Sequence, residues 1–181
     1  MKSIQIFLEE STTRKVLAHI AGPSGSGKTT IATVLAKKYP NIKFTDLDDF
    51  DDEAERLLGW DGIKKRKYTN KMLYTLYKKR QQLLDNHIRS SKKPIVYVGH
   101  HLEAEHVLKI PTDNRFLLNV DAKTSAYRGW KRSQSEDPKY RRLKKEIPDD
   151  VRAAQEDIDW LKKNKYVVMS PKQIDKWIKN Q

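Results

Sequence analysis

The stretch "AGPSGSGKTT", residues 21–30, decides how the rest of the chain is read. Three glycines, Gly22, Gly25 and Gly27, fall within six residues directly after a short apolar run, "KVLAHIA" at 15–21. Glycine takes backbone angles closed to other residues, so the segment is built to turn sharply and to present bare amide groups. From Gly22 to Thr29 the residues run G-x-x-x-x-G-K-T, between a predicted buried strand and a predicted helix carrying Ile31, Val34 and Leu35. That is the phosphate-binding P-loop pattern in the strand-loop-helix setting its mechanism needs. The amides of Ser24, Gly25, Ser26, Gly27 and Lys28 can wrap a β-phosphate, and the helix adds its positive N-terminal end. Lys28 is placed to bridge the β- and γ-phosphates and the Thr29 hydroxyl to hold Mg2+. Gly22 and Ser24 through Thr30 are thus the expected nucleotide-binding set, with ATP and Mg2+ as cofactors.

Working outward, the same strand-then-helix rhythm recurs. "IKFTDLD" is a predicted strand, residues 50–90 read as mainly helical, and "PIVYVG" at 94–99 and "RFLLNV" at 115–120 are predicted buried strands. An amphipathic helix through Val151, Ala154, Ile158 and Leu161 follows, then the strand "YVVMS" and a closing helix with Ile174, Trp177 and Ile178. Before all of these, Ile4, Ile6 and Leu8 alternate with polar residues and suggest an edge strand or extended arm. Strands alternating with helices predict an α/β, three-layer, mostly parallel sheet, here a P-loop NTPase fold in a single domain over 1–181.

The 181 residues carry 37 Lys and Arg against 24 Asp and Glu, a net charge of +13 that attracts anionic partners. Cysteine is absent, which excludes disulfides, thiolate metal sites and Cys nucleophiles. The acidic, alternating start does not read as a signal peptide, and no apolar run approaches a membrane span. The expectation is a soluble cytoplasmic protein without a membrane partner; nothing in the pattern fixes an oligomeric state.

Other P-loop classes fit less well. The nearest fragment to a guanine-binding N-K-x-D, "TNKML" at 69–73, has Leu where Asp belongs, and the buried strand ending "VYVGHH" lacks the carboxylate of a motor-type ATPase. The acids lie instead in "FTDLDDF", where alternation along a strand end puts Asp46 and Asp48 on one side. The carboxyl ends of strands in an α/β sheet share one crevice, so both face the P-loop. One can orient the water shell of Mg2+ and the other accept a proton from an attacking hydroxyl. Asp49 is the expected helix cap.

At these residues the chain resembles the small P-loop kinases, the nucleoside monophosphate kinase-like group that includes adenylate, shikimate and gluconate kinases. "GPSGSGKT" is similar to the loops of guanylate and gluconate kinases, and "FTDLDDF" to the D-x-D of shikimate kinase. The resemblance implies that Asp46 assists the metal, that Asp48 binds the acceptor hydroxyl, and that Gly99 lies where the acceptor passes. It also implies a small basic lid at about 123–148, where Arg neutralises charge on the transferring phosphoryl group. Arg128 and Arg132, one helical turn apart, are the expected lid pair, with Arg141 and Arg142 the other choice and Pro138 and Pro148 bracketing the piece. Two departures stand out. The tyrosine and arginine pattern of the guanylate kinase acceptor site is not evident, and the adenylate kinase D-G-[FY]-P-R segment is replaced by Gly99-His100-His101.

The remaining signals are weaker. "KKRKYTNKMLYTLYKKR" at 64–80 interleaves Tyr68, Tyr74 and Tyr77 with cations, but Met72, Leu73, Leu76 and Leu83 make an ordinary amphipathic helix with its cations in solvent. His100 is a candidate acceptor contact, and His19 is expected to be packed and hydrogen-bonded. Trp60 and Trp130 fit packing better than acceptor lining. By the resemblance, Met169–Lys172 contacts the base; read plainly, Ser-Pro there starts a helix with Pro171 in its first turn. The expected function is an ATP- and Mg2+-dependent kinase for a small-molecule acceptor, either a nucleoside or nucleotide or a hydroxyl metabolite. The alternative is a polynucleotide 5′-kinase or nucleic-acid-associated ATPase, which the charge supports but no separate nucleic-acid module does.

Overall fold

The computed structural model describes residues 15–60, 68–99, 108–135 and 141–181. The expected strand at Ile4–Leu8, the start of the basic stretch at 64–67, His100, His101 and Pro138 lie outside the described residues.

Strand β1 (Val16–Ala21) leads through the glycine loop into helix α1 (Lys28–Lys38), and β2 (Lys43–Asp46) into α2 (Asp48–Leu57). The long α3 (Asn70–Ser90), started by the Thr69 hydroxyl accepting from the Met72 amide, returns the chain to β3 (Ile95–Val98). Then come β4 (Arg115–Leu118), α4 (Ala122–Ser133), α5 (Ile147–Lys163), β5 (Val167–Met169) and α6 (Pro171–Lys179). The five strands are all parallel in the order β2-β3-β1-β4-β5. Parallel strands need helical crossovers, which bury both sheet faces, and β3 shows the result in four successive buried residues.

Alternation along the strands divides the core. Ala18, Ile20, Val96, Val98, Phe116 and Leu118 face α1 and α6, packing on Ile31, Leu35, Ile174 and Ile178. Ile95 and Tyr97 face α2 and α3, meeting Phe50, Leu84 and Ile88, while Ala21 and Leu117 face α4 and α5 through Ala122, Ala154, Ile158 and Leu161. The sheet is therefore the middle of three layers, as the sequence predicts.

Tyr97 and Arg80 are two polar groups within these layers that are paired. Tyr97, wholly buried, bonds its hydroxyl to His87 Nδ1 at 2.8 Å, and burial raises its phenol far above the usual range. Arg80 departs from the solvated face expected of the 64–80 helix: it is 4% exposed and ion-paired with Asp51 of α2. Its long stem crosses the α2-α3 interface, where only a partnered charge is tolerated.

Because all strands run one way, their carboxyl ends, and the starts of α1, α2, α4 and α6, gather at one edge of the sheet. The depth of the core gives a direct test of the layering. Ile174→Ala, at a fully buried position of α6, should cost about 2–5 kcal/mol in urea unfolding. Val167→Thr on the exposed edge strand should change stability by no more than about 0.5 kcal/mol.

Candidate active site

The glycine loop is shaped by what lies against it. Gly25 has φ +83°, and a Cβ there would collide with the Ser125 carbonyl oxygen and approach the Gly129 amide nitrogen to 2.8 Å. Loop backbone thus touches helix backbone, a proximity only glycine permits. Ser125 Oγ donates to the Ser24 carbonyl at 2.8 Å and ties the same two elements together.

Gly27, with φ +95°, precedes α1 in place of a capping side chain, and the first turn of α1 holds no acidic residue. The helix's first amides are therefore left for an outside anion. Ser26 adds a hydroxyl that is buried yet has no hydrogen-bond partner among the described residues. A buried orphan donor beside an uncapped helix start fits a phosphate chain, so the residues present suit a nucleoside triphosphate.

Lys28 folds back over the loop, donating to the carbonyls of Gly22 at 2.6 Å and Pro23 at 3.0 Å. Burial lowers its pKa from the ordinary lysine value; Asp48 and then Asp46 raise it again, while Arg132 works with burial. Asp46, Asp48 and Arg132 thus sit within electrostatic reach of Lys28.

A cavity of about 580 Å³ opens over the loop, lined by Gly25 to Ile31 and by Val34, Leu118, Arg128, Arg132 and Pro171. Its size falls in the roughly 300–1,000 Å³ range of small-molecule sites. Arg128 and Arg132 reach it from α4, and Arg132 Nη2 lies 3.5 Å from Ser24 Oγ. Arg142 is engaged elsewhere, with Asp150 at 3.1 Å, and neither it nor Arg141 lines this cavity. Of the stretch expected to form a lid, α4 is a wall of the site, its Ser125 and Gly129 buried against the loop, and residues 136–140 lie outside the described residues. Pro171 starts a helix, as the plain reading of its segment expects. It opens α6 behind the Ser170 cap, which accepts from Gln173 at 3.3 Å, and it also walls the cavity.

On the other flank of α1 a groove of about 510 Å³ brings Thr29 together with Asp46 and Asp49. A hydroxyl and carboxylates are the hard oxygen donors that suit Mg2+. Among the described residues no cluster of three or more His, Cys, Asp or Glu is arranged to hold an ion unaided. The donor set fits a metal ion that arrives with the triphosphate.

The acidic segment folds differently from the sequence expectation in one respect. Asp49 is not the cap of α2: the cap position falls on Leu47, and the Asp46 carboxylate accepts the Asp48 amide at 3.1 Å. The strand stops at Asp46 and Asp48 opens α2, so the two acids come within electrostatic reach of Lys28 across a strand-to-helix turn, not by alternation along one strand. Burial raises the pKa of Asp49, and the neighbouring Asp46 and Asp52 raise it further. Gly99, with φ +145°, ends β3 against this turn, since a Cβ there would stand 2.8 Å from Leu47 Cβ. Trp60 packs on Tyr68 and Trp130 on Tyr127, with ring centroids 5.7 and 5.5 Å apart.

His19 is packed and hydrogen-bonded, as the sequence predicts, and both of its ring nitrogens have named partners. Nε2 contacts the Gly99 carbonyl at 3.1 Å, which requires the proton on Nε2, so Nδ1 accepts from the Tyr166 hydroxyl at 2.7 Å. No local signal announces a pair separated by 147 positions.

No family model matches the chain, and no curated protein matches it. Solved structures do. Shikimate kinase from Acinetobacter baumannii, in complex with shikimate, superposes with a TM-score of 0.50 at 14% identity, covering 94% of each chain. Shikimate kinase from Aquifex aeolicus gives 0.50 at 18% identity, over 89% of this chain and 92% of the other. The chain has the fold of the shikimate kinases.

Two expectations follow from the loop. Gly25→Ala, strained at its φ and blocked by α4, should lose roughly 1–3 kcal/mol in stability and most nucleotide affinity, read by urea unfolding and calorimetry. For Lys28, the unfolded chain binds more protons than the folded one between the lowered pKa and 10.5. The burial penalty is present in full below that window, and stability rises as pH climbs through it. In Lys28→Met that rise should be absent from the ligand-free protein; an unchanged slope in unfolding free energy against pH would refute the assignment.

Proposed function

We propose that this chain is an ATP- and Mg2+-dependent phosphotransferase that moves a γ-phosphoryl group onto the hydroxyl of a small molecule. The observation that carries the reading is the uncapped start of α1, with the orphan Ser26 hydroxyl beside it and Arg128 and Arg132 aimed over it. The shared fold supports it, and the shikimate bound in one of the similar structures supports a hydroxyl acceptor.

In this reading Ser24 to Thr30 bind the phosphates. Lys28 leaves the Gly22 and Pro23 carbonyls to meet the oxygens of the transferring group, exchanging two neutral acceptors for a charged one. Arg128 and Arg132 supply countercharge as the γ-phosphoryl group departs. Mg2+, held by Thr29 and supported by Asp46, would neutralise charge on the phosphate oxygens. Asp48, exposed at the first turn of α2, accepts the acceptor's proton as its oxygen bonds to phosphorus and the bond to the β-phosphate breaks, leaving ADP. A hydroxyl acceptor explains why a carboxylate stands here, since an acceptor phosphate is already ionised and needs no base.

The test is transfer of labelled γ-phosphate from Mg-ATP to hydroxyl metabolites, nucleosides, nucleoside monophosphates and 5′-hydroxyl oligonucleotides. Transfer confined to hydroxyl-bearing small molecules is expected. Lys28→Ala should lower it by roughly 10²–10³-fold or more with the circular dichroism spectrum kept. Asp48→Asn should lower kcat by roughly 10²–10⁴-fold with little change in ATP affinity. Transfer to oligonucleotides alone, or phosphate release indifferent to acceptor, would overturn the proposal.

A further inference from the structure

A second cavity, of about 370 Å³, lies at the opposite edge of the sheet from the glycine loop. It is bounded by the segment that precedes β4, by the first residue of β4, by the carboxyl end of α5 and by Tyr166 ahead of β5. Since the strands are parallel, these are their amino ends, and nothing in the proposed transfer chemistry uses them.

Its chemistry is consistent from wall to wall. Ile110, Trp160 and the ring of Tyr166 provide apolar and aromatic surface, and Arg115 and Lys109 provide positive charge. Arg115 is half-buried and spends only Nε on protein, donating to the Thr112 carbonyl at 3.3 Å; no carboxylate pairs with it among the described residues. Its remaining guanidinium N–H groups form a planar fork, the geometry that matches a carboxylate or phosphate. Burial pushes the Tyr166 phenol up to about 12, and its hydroxyl is committed to His19 Nδ1 at 2.7 Å. The cavity therefore meets the ring of Tyr166, not a free hydroxyl. The rim is built in advance: the side-chain amide of Gln81 accepts from the Lys109 amide at 2.9 Å and donates to its carbonyl at 3.3 Å.

We propose that this cavity is a ligand site separate from the glycine loop, taking a small organic anion with a flat apolar body. The flat body lies between Trp160 and Tyr166, and its acid group meets Arg115 with Lys109 beside it. The volume suits a molecule of one or two rings.

The test uses 1-naphthoate as probe and 1-naphthylmethylammonium as the oppositely charged control, titrated into the full chain and followed by backbone amide NMR. Saturable shifts at Ile110, Arg115 and Asn164 with naphthoate alone are expected, unchanged by saturating Mg-ATP. Arg115→Met should weaken naphthoate roughly tenfold or more, as loss of a charge-assisted contact predicts, and Arg115→Lys less. Lys109→Met, exposed and safe for folding, should weaken it by a smaller factor. Absence of saturable shifts at millimolar probe, equal binding of the ammonium control, or displacement by Mg-ATP would overturn the proposal. None of these outcomes depends on whether the chain transfers phosphate.

Discussion

The site rests on one close approach, that of the Gly25 backbone to the backbone of α4. Two main chains meet there with no side chain between them, and the Ser125 hydroxyl locks the contact from the helix side. Once Ser125 and Gly129 are fixed against the loop, helical geometry places Arg128 and Arg132 on the neighbouring stripe, one turn apart and lining the cavity over the glycine loop. The direction of α4 is set at its start, where Asp121 accepts the Thr124 amide at 2.8 Å. This hydrogen bond holds the Asp121 carboxyl below its ordinary value. A helix positioned in this way carries its cations to the cavity over the glycine loop.

The electrostatics of the loop follow from that crowding. Lys28 is drawn down onto the Gly22 and Pro23 carbonyls, and burial makes its charge costly. Asp48 and Asp46 offset part of that cost, and Arg132 adds to it. In the proposed function an incoming polyanion would relieve both strains, since it would compensate the cations and fill the uncapped start of α1. The absence of an acid from the first turn of α1 is consistent with the same proposal.

Much of this was legible from local pattern. The glycine spacing, the five strands and the helices of the core were readable because each is a short-range signal of period 2 or 3.6. Strand alternation does not describe Asp46 and Asp48: β2 ends at Asp46, Asp48 opens α2, and a turn through Leu47 joins them. Arg80 was read as a surface cation because a sequence shows charge and not the acid opposite, which comes from α2. His19 with Tyr166, and Arg142 with Asp150, likewise depend on how strands and helices are brought together in three dimensions.

The Arg80–Asp51 pair shows what such hidden contacts do. Helix α2 is ten residues long and buries only Phe50 and Ala54, yet it must hold Asp48 in register with Lys28 on another element. Two apolar contacts allow a short helix to slide or roll with little penalty. A buried ion pair adds little net stability, because desolvation consumes most of the attraction, but it penalises misalignment severely, since any displacement strands a charge in an apolar interface. Arg80 reaches Asp51 from α3, whose Leu84 and Ile88 are seated against β3. The position of the acid at the tip of α2 is thereby referred to the centre of the sheet, the same frame from which β1 carries the glycine loop. Gly99, at the end of β3, closes that frame by admitting Leu47 within contact distance.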